Sequence, residues 1–253
     1  RNAIGTQVGM LAALSAKGMY IQEADGVTID VVSLGVRQVN FNSTQTDRSE
    51  TLEDLITTDN GPIKLQSISG DIIVKSGTPM TFGIQAHSSG DVLLQTLDRG
   101  TIITQADVRS GSGDITINSV DALRVTNHFK TSDPGRVYLT SQGDVTVESL
   151  DTNNTNLAIV SGRTVELGSI QAGTARVYLQ AARDIIDLDP NTNTINVSAS
   201  ALAMSAGNKI GDSDLNAPVN TNRNAIGTQV GLLAARSATG IYVREADGLT
   251  VDT

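Results

Sequence analysis

The chain has 253 residues with 39% hydrophobic side chains, no Trp, no Cys, 3 Phe and 4 Tyr. The absence of cysteine excludes disulfides, thiolate metal sites and thiol catalysis. A formal charge of −9 runs against nucleic acid or an anionic membrane as partner, since both select clustered Lys and Arg, and no apolar run approaches the ~18 residues of a membrane-spanning helix.

With so little aromatic bulk, Val, Ile, Leu and Ala must fill a thin, layered interior. Arg1 stands where an initiator Met would, so a start further upstream is expected. From the N-terminus, MYIQEADGVTI at residues 19–29 reads as strand, turn and strand, with alternating apolar residues around the turn Glu23-Ala24-Asp25-Gly26. The polar stretch 42–60, including Ser49-Glu50-Thr51-Leu52-Glu53-Asp54-Leu55-Ile56, is expected to leave the regular structure at one corner, with a helical turn as its candidate conformation. From there a turn followed by an alternating strand recurs: SISGDIIVKSG (67–77), HSSGDVLLQTL (87–97), GSGDITINSV (111–120) and SQGDVTVESL (141–150). SGRTVELGSI (161–170) and AARDIIDLD (181–189) are weaker copies. The aspartates at 71, 91, 114, 144 and 184 step by 20, 23, 30 and 40, with Gly162-Arg163 about midway through the last gap, which gives a unit of about 20 residues with insertions. Glycine at the corners permits positive φ, and the following Asp can bond nearby backbone N–H groups.

A longer period encloses the short one. Residues 223–253 repeat residues 1–31 at an offset of 222, with 22 of 31 positions identical. Five differences exchange aliphatics (Met10/Leu232, Met19/Ile241, Ile21/Val243, Val27/Leu249, Ile29/Val251), the pattern of buried positions. Leu14/Arg236, Lys17/Thr239 and Gln22/Arg244 change polarity freely and are expected to face solvent. A 20-residue unit of short strands cannot bury its apolar face alone, but a stack of such units can. The expected fold is therefore all-β, a right-handed parallel β-helix (solenoid) with coils of about 20 residues. Residues 1–222 form one complete long repeat and residues 223–253 begin the next.

SGDIIVKSG, GDITINSV and GDVTVESL resemble the repeats of filamentous-haemagglutinin-type exoproteins, and residues 206–252 are similar to repeats of giant bacterial surface proteins of the same general kind. The resemblance covers most of the chain. It implies export, a β-helical shaft, and attachment or surface-coat roles.

Several constellations invite chemistry. Asp187 and Asp189 of RDIIDLD, with Asp184 nearby, would share one strand face about 6.8 Å apart, a glycosidase-like spacing, but a solvated strand face is the expectation, and His87 and His128 lie several coils away. Glu23 and Asp25, and their copies Glu245 and Asp247, offer hard oxygens for Ca²⁺, although a structural turn accounts for them. Gly111-Ser112-Gly113 lacks a phosphate-loop context, and no GxSxG elbow marks a nucleophilic serine. Tyr20, Tyr138, Tyr178 and Tyr242 share a place in the frame and are expected at packing or corner positions rather than in a ligand stripe. Asn42, Asn153 and Asn196 precede x-Ser/Thr by compositional chance.

The expected function is thus a structural or adhesive shaft segment outside a bacterial cell, not an enzyme, with no catalytic or metal-binding residues and no cofactor. Expected partners are further copies of its own repeat in the same chain, and other surface proteins, glycans or identical chains in a fibre, with no nucleic acid and no membrane insertion. The alternatives are a polysaccharide-acting β-helix enzyme and a non-catalytic carbohydrate-binding module.

Overall fold

A computed structural model describes residues 2–75, 82–189, 194–212 and 224–251. The boundary expected at 222/223 lies outside the described residues. Among those residues there is no helix, and 29 strands form a 22-stranded sheet, a five-stranded sheet and a two-stranded hairpin. Pairing is parallel in both larger sheets and antiparallel only in the hairpin.

The parallel strands fall into three ladders that the chain visits in turn. In the first, Met19, Ile63, Val92, Ile115, Val137, Leu157, Val177, Leu202 and Leu233 stand opposite one another in successive strands. In the second, the row runs Val27, Ile72, Ile102, Leu123, Val145, Val165, Ile185, Ile210 and Ile241. The third begins with Ala13, Leu55, Ile84, Val108 and Phe129. The row Leu150, Ile170, Val197 and Thr228 follows it, with Asp151 3.9 Å from His128.

These rows form because each strand alternates, so every second residue enters the interior. The first row is buried throughout, and the second is buried as far as Ile210. Each such Val, Leu or Ile contributes roughly 1.5–3 kcal/mol on removal from water. A buried row of hydroxyls, Ser67, Thr96, Ser119, Ser141 and Ser161, closes the first-ladder strands. Ser119 Oγ donates to Ala122 O at 2.5 Å or Gly100 O at 2.9 Å, and Ser161 Oγ to Gly143 O at 2.7 Å. Turn carbonyls that would otherwise be orphaned thereby gain donors.

The turn aspartates reach beyond their own turn. Asp71, Asp91, Asp114 and Asp144 accept the backbone N–H of Thr101, Asp114, Arg136 and Thr164 at 2.7–3.0 Å, each 20–30 residues further along the chain. Positive φ explains Gly70 (φ 144°). At Gly143 the reason is proximity: a Cβ there would lie 1.5 Å from Asp121 O.

Two expectations require correction. The excursion is no helical turn. It begins earlier than residue 42, as Val32–Val39 paired antiparallel with Gln45–Leu52. It projects from between the second and third ladders, joined across its strands by Arg37 Nε to Asp47 Oδ1 (2.9 Å) and by the Ser33 and Thr51 hydroxyls (2.9 Å). Val32, Leu34 and Val36 alternate with Ser33, Gly35 and Arg37 on the first strand, but the second is polar as far as Thr51, so no core-facing pattern marks the hairpin. Met10 and Leu232 are exposed rather than buried, because the inward place in their strands belongs to Leu11 and Leu233.

Candidate functional site

The outer face of the first ladder carries an open apolar surface in its later strands. Tyr138, Ala158, Tyr178, Ala203 and Ala234 stand opposite one another in consecutive strands. Tyr138 and Tyr178 sit between inward-pointing Val and Leu neighbours, so alternation turns them out, and they are 43% and 38% exposed. The packing role expected for them is thus corrected. The aliphatic flanks on either side of each tyrosine already carried the signal. Tyr20 lies on the same face, opposite Lys64, whereas Tyr242 occupies a corner, where its carbonyl accepts Ile226 N–H at 3.0 Å.

Around the two tyrosines runs a groove of about 520 Å³, with Ala158 between the rings, Ala203 beyond Tyr178, and Arg136, Arg176 and Leu232 at its borders. The rings stand two strands apart, roughly 9.6 Å on a strand spacing of ~4.8 Å. Tyr178 Oη donates to Gln180 Oε1 at 2.7 Å, which fixes one ring edge. Two aromatic walls over an alanine floor, with guanidinium groups at the margin, suit a flat ring bearing hydroxyl or anionic substituents.

A second cluster was not foreseen in the sequence. Asp107, buried in the third ladder, accepts hydrogen bonds from Arg109 Nη2 (2.6 Å) and His128 Nδ1 (2.8 Å), with Lys130 Nζ 3.9 Å away. Burial pushes its carboxyl up, but the hydrogen bonds and charges of Arg109 and His128 outweigh burial and hold it below its ordinary value. The Arg109 guanidinium also lies over Phe82, 5.2 Å from the ring centroid. Asp107 and His128 are 21 residues apart and meet through strand stacking. The other histidine, His87, contacts Ser88 Oγ at 2.8 Å through Nδ1. Hydroxyl and carboxylate therefore belong to different histidines.

Asp187 and Asp189 do not share an open face. Asp187 occupies the inward place held by Val147 and Leu167 in the preceding strands and is buried, whereas Asp189 is exposed beyond the strand end. The solvated reading of Asp187 is corrected accordingly. Its Oδ1 accepts Asn196 Nδ2 (2.9 Å) and Asp189 N–H (3.0 Å). Burial raises the Asp187 carboxyl above its ordinary value, against the opposing effect of these hydrogen bonds. Asn196 is fully buried: its Nδ2 reaches Leu167 O and Gly168 O at 2.8 and 3.0 Å, and its Oδ1 accepts Gly227 N–H at 2.8 Å. It is a structural strut. Asn42 and Asn153 are exposed, the latter at positive φ. Asp184 takes the turn position and accepts Asn208 Nδ2 at 2.6 Å.

In the Glu23-Ala24-Asp25-Gly26 turn, protein donors occupy both Glu23 oxygens. Oε2 accepts Thr6 Oγ1 (2.6 Å), and Oε1 accepts Val8 N–H (3.0 Å) and Ala24 N–H (3.1 Å). Asp25 Oδ2 accepts Gln7 Nε2 (3.0 Å). The copy repeats the whole set: Thr228 (2.6 Å), Val230 (3.2 Å) and Ala246 (3.1 Å) on Glu245, and Gln229 (3.3 Å) on Asp247. Among the described residues, no three acidic or imidazole side chains come together as a metal cage. Gly111 and Gly113 form a tight turn, with Gly113 N–H on Ser110 Oγ at 2.8 Å.

No protein-family profile, curated protein or solved structure matches the chain.

Proposed function

We propose that the chain is part of an extended right-handed parallel β-helix, with coils of about 20 residues lengthened by insertions, within a tandem repeat of 222 residues. In this reading it is a structural or adhesive shaft segment of a very large protein on the outside of a bacterial cell. The observation that carries the proposal is the agreement of the two ends. The copies share 22 of 31 positions, and the Thr6, Val8 and Ala24 bonds to Glu23 recur as Thr228, Val230 and Ala246 bonds to Glu245. A stack whose end rebuilds its beginning is suited to continue, and the cyclic visiting of three ladders supports winding. The function is mechanical: main-chain bonds between rows and a dry aliphatic interior carry load, while the exposed hairpin, with Phe41 at its tip, offers lateral contact. Electron microscopy of the full-length protein tests this. A rod that lengthens with the number of repeats is expected, and a compact particle would rule it out. On the native surface, a peripheral tip would indicate an adhesin and regular side-by-side packing a fibre.

The groove between Tyr138 and Tyr178 favours a second reading, glycan binding without catalysis. Binding on a glycan array that is lost in Tyr138→Ala and Tyr178→Ala, with the fold retained, would establish it, and an array without signal would remove it. A polysaccharide-acting enzyme has less support, because the aspartate pair that motivated it is split between interior and surface. Release of reducing ends or unsaturated products from a polysaccharide panel would revive it.

A further inference from the structure

The strand edge formed by residues 4–14 is the most exposed apolar margin of the parallel stack. Its copy, Ile226–Arg236, differs only at Met10/Leu232 and Leu14/Arg236 but is largely covered. Ile4 is 69% exposed and Ile226 0%, and Val8 is 39% exposed and Val230 2%. What covers the copy is Val197–Ala206, in parallel register from Val197 opposite Thr228 to Ser205 opposite Arg236. Asn196 completes the contact by exchanging two hydrogen bonds with Gly227: its N–H donates to Gly227 O, and its Oδ1 accepts Gly227 N–H, both at 2.8 Å.

We infer that residues 4–14 are a docking edge for the strand 196–206 of another copy of this repeat, which covers them as Val197–Ala206 covers Ile226–Arg236. This rests on the shaft reading and names the contact through which one copy meets the next. Two glycines mark the edge. A Cβ at Gly227 would lie 2.0 Å from Thr194 O, and one at Gly231 would lie 3.3 Å from Ser200 O, whereas Gly5 and Gly9, their counterparts, have nothing within 4 Å. At the edge, these glycines have no close neighbour among the described residues. At the copy they admit the incoming backbone. Arg244, which stands where the first copy has Gln22, donates to Thr194 O at 3.0 Å.

The junction also turns. Ile4–Thr6 stands in the first ladder, opposite Ile21 to Glu23. Thr228 stands in the third-ladder row with Ile170 and Val197, and Leu232 and Leu233, counterparts of the second-ladder strand Met10–Leu11, stand in the first ladder with Ala201 and Leu202. The repeat therefore does not close on a whole number of circuits. Each copy begins one ladder around from the last, and consecutive hairpins and tyrosine grooves point to different sides of the shaft.

The test places residues 1–222 ahead of the present chain, so that Gly5 of the second copy becomes internal. In the single chain, Gly5→Val is expected to leave the melting temperature unchanged while Gly227→Val lowers it. In the two-copy chain, Gly5→Val of the second copy should lower it as Gly227→Val does, and the amides of that copy's Gly5 and Thr6 should gain hydrogen-exchange protection. Unchanged protection, or a neutral Gly5→Val in the two-copy chain, overturns the docking edge even if scattering shows that the rod has doubled in length. A two-copy chain that does not lengthen overturns the shaft reading as well. With gold labels on Phe41→Cys in both copies, labels on one side of the rod overturn the rotation, and labels on different sides are expected.

Discussion

The stack and the hairpin are built from similar strands and held by different physics. In the first ladder Leu139, Ile159 and Leu179 each lie between two aliphatic neighbours and are buried. In Val32–Val39 and Gln45–Leu52 nearly every residue is exposed, including Leu34, Val36 and Val39, and so is Phe41 in the turn between them. A two-stranded hairpin alone in water is marginal. Stability in this molecule comes from rows, and the arm that belongs to no row is free to serve contact.

The comparison breaks first in the rows. Leu139→Ala, between Ile117 and Ile159, is expected to cost roughly 2–5 kcal/mol, measured by denaturant unfolding. A loss below about 1 kcal/mol would mean that the interior is not close-packed. Next comes the strut: Asn196→Ala leaves Gly227 N–H without its Oδ1 acceptor, which should cost roughly 1–3 kcal/mol and loosen Ile226–Arg236 in hydrogen exchange before any other strand.

Asp187 sharpens the comparison from inside. Burial raises its folded-state pKa, so the folded protein binds a proton more readily than the unfolded chain. The cost of its charge is present at neutral pH and disappears as pH falls through the raised value. Asp187→Asn keeps an oxygen acceptor for Asn196 and removes the charge. The variant should melt slightly higher than the parent at pH 7, with the difference shrinking in acid. A lower melting temperature at pH 7 would contradict the inward, charge-penalised placement. The smallest effect belongs to the arm, where Phe41→Ser should change stability by no more than about 0.5 kcal/mol while weakening any self-association seen by ultracentrifugation.

Much of this was legible in the sequence. Strand alternation and the recurring Gly-Asp turns located the rows, and of the aliphatic exchanges Met19, Ile21, Val27 and Ile29 are buried as expected, whereas their copies Ile241 and Leu249 are exposed. The outward face of Tyr138 and Tyr178 and the inward face of Asp187 were both implied by the same alternation: the inward aliphatics beside each tyrosine force it out, and Asp187 aligns with Leu167. The hairpin stayed hidden because its residues are mixed on both faces, which leaves no periodicity tied to a core. The contacts of Asp107 with His128 and of Asn196 with Leu167 and Gly227 stayed hidden because they span 21–31 residues, across insertions of unequal length.

Row order is the central claim, and distances along the first ladder test it most directly. Because the chain has no cysteine, spin labels can be placed cleanly at Lys64 and, in turn, at Tyr138, Tyr178 and Ala234. These positions lie three, five and seven strands from Lys64. Backbone separations of about 14, 24 and 34 Å are expected, rising by ~4.8 Å per strand. Distances that fail to increase in that order, or that cluster near one value, would show that the strands do not stack in a single parallel column.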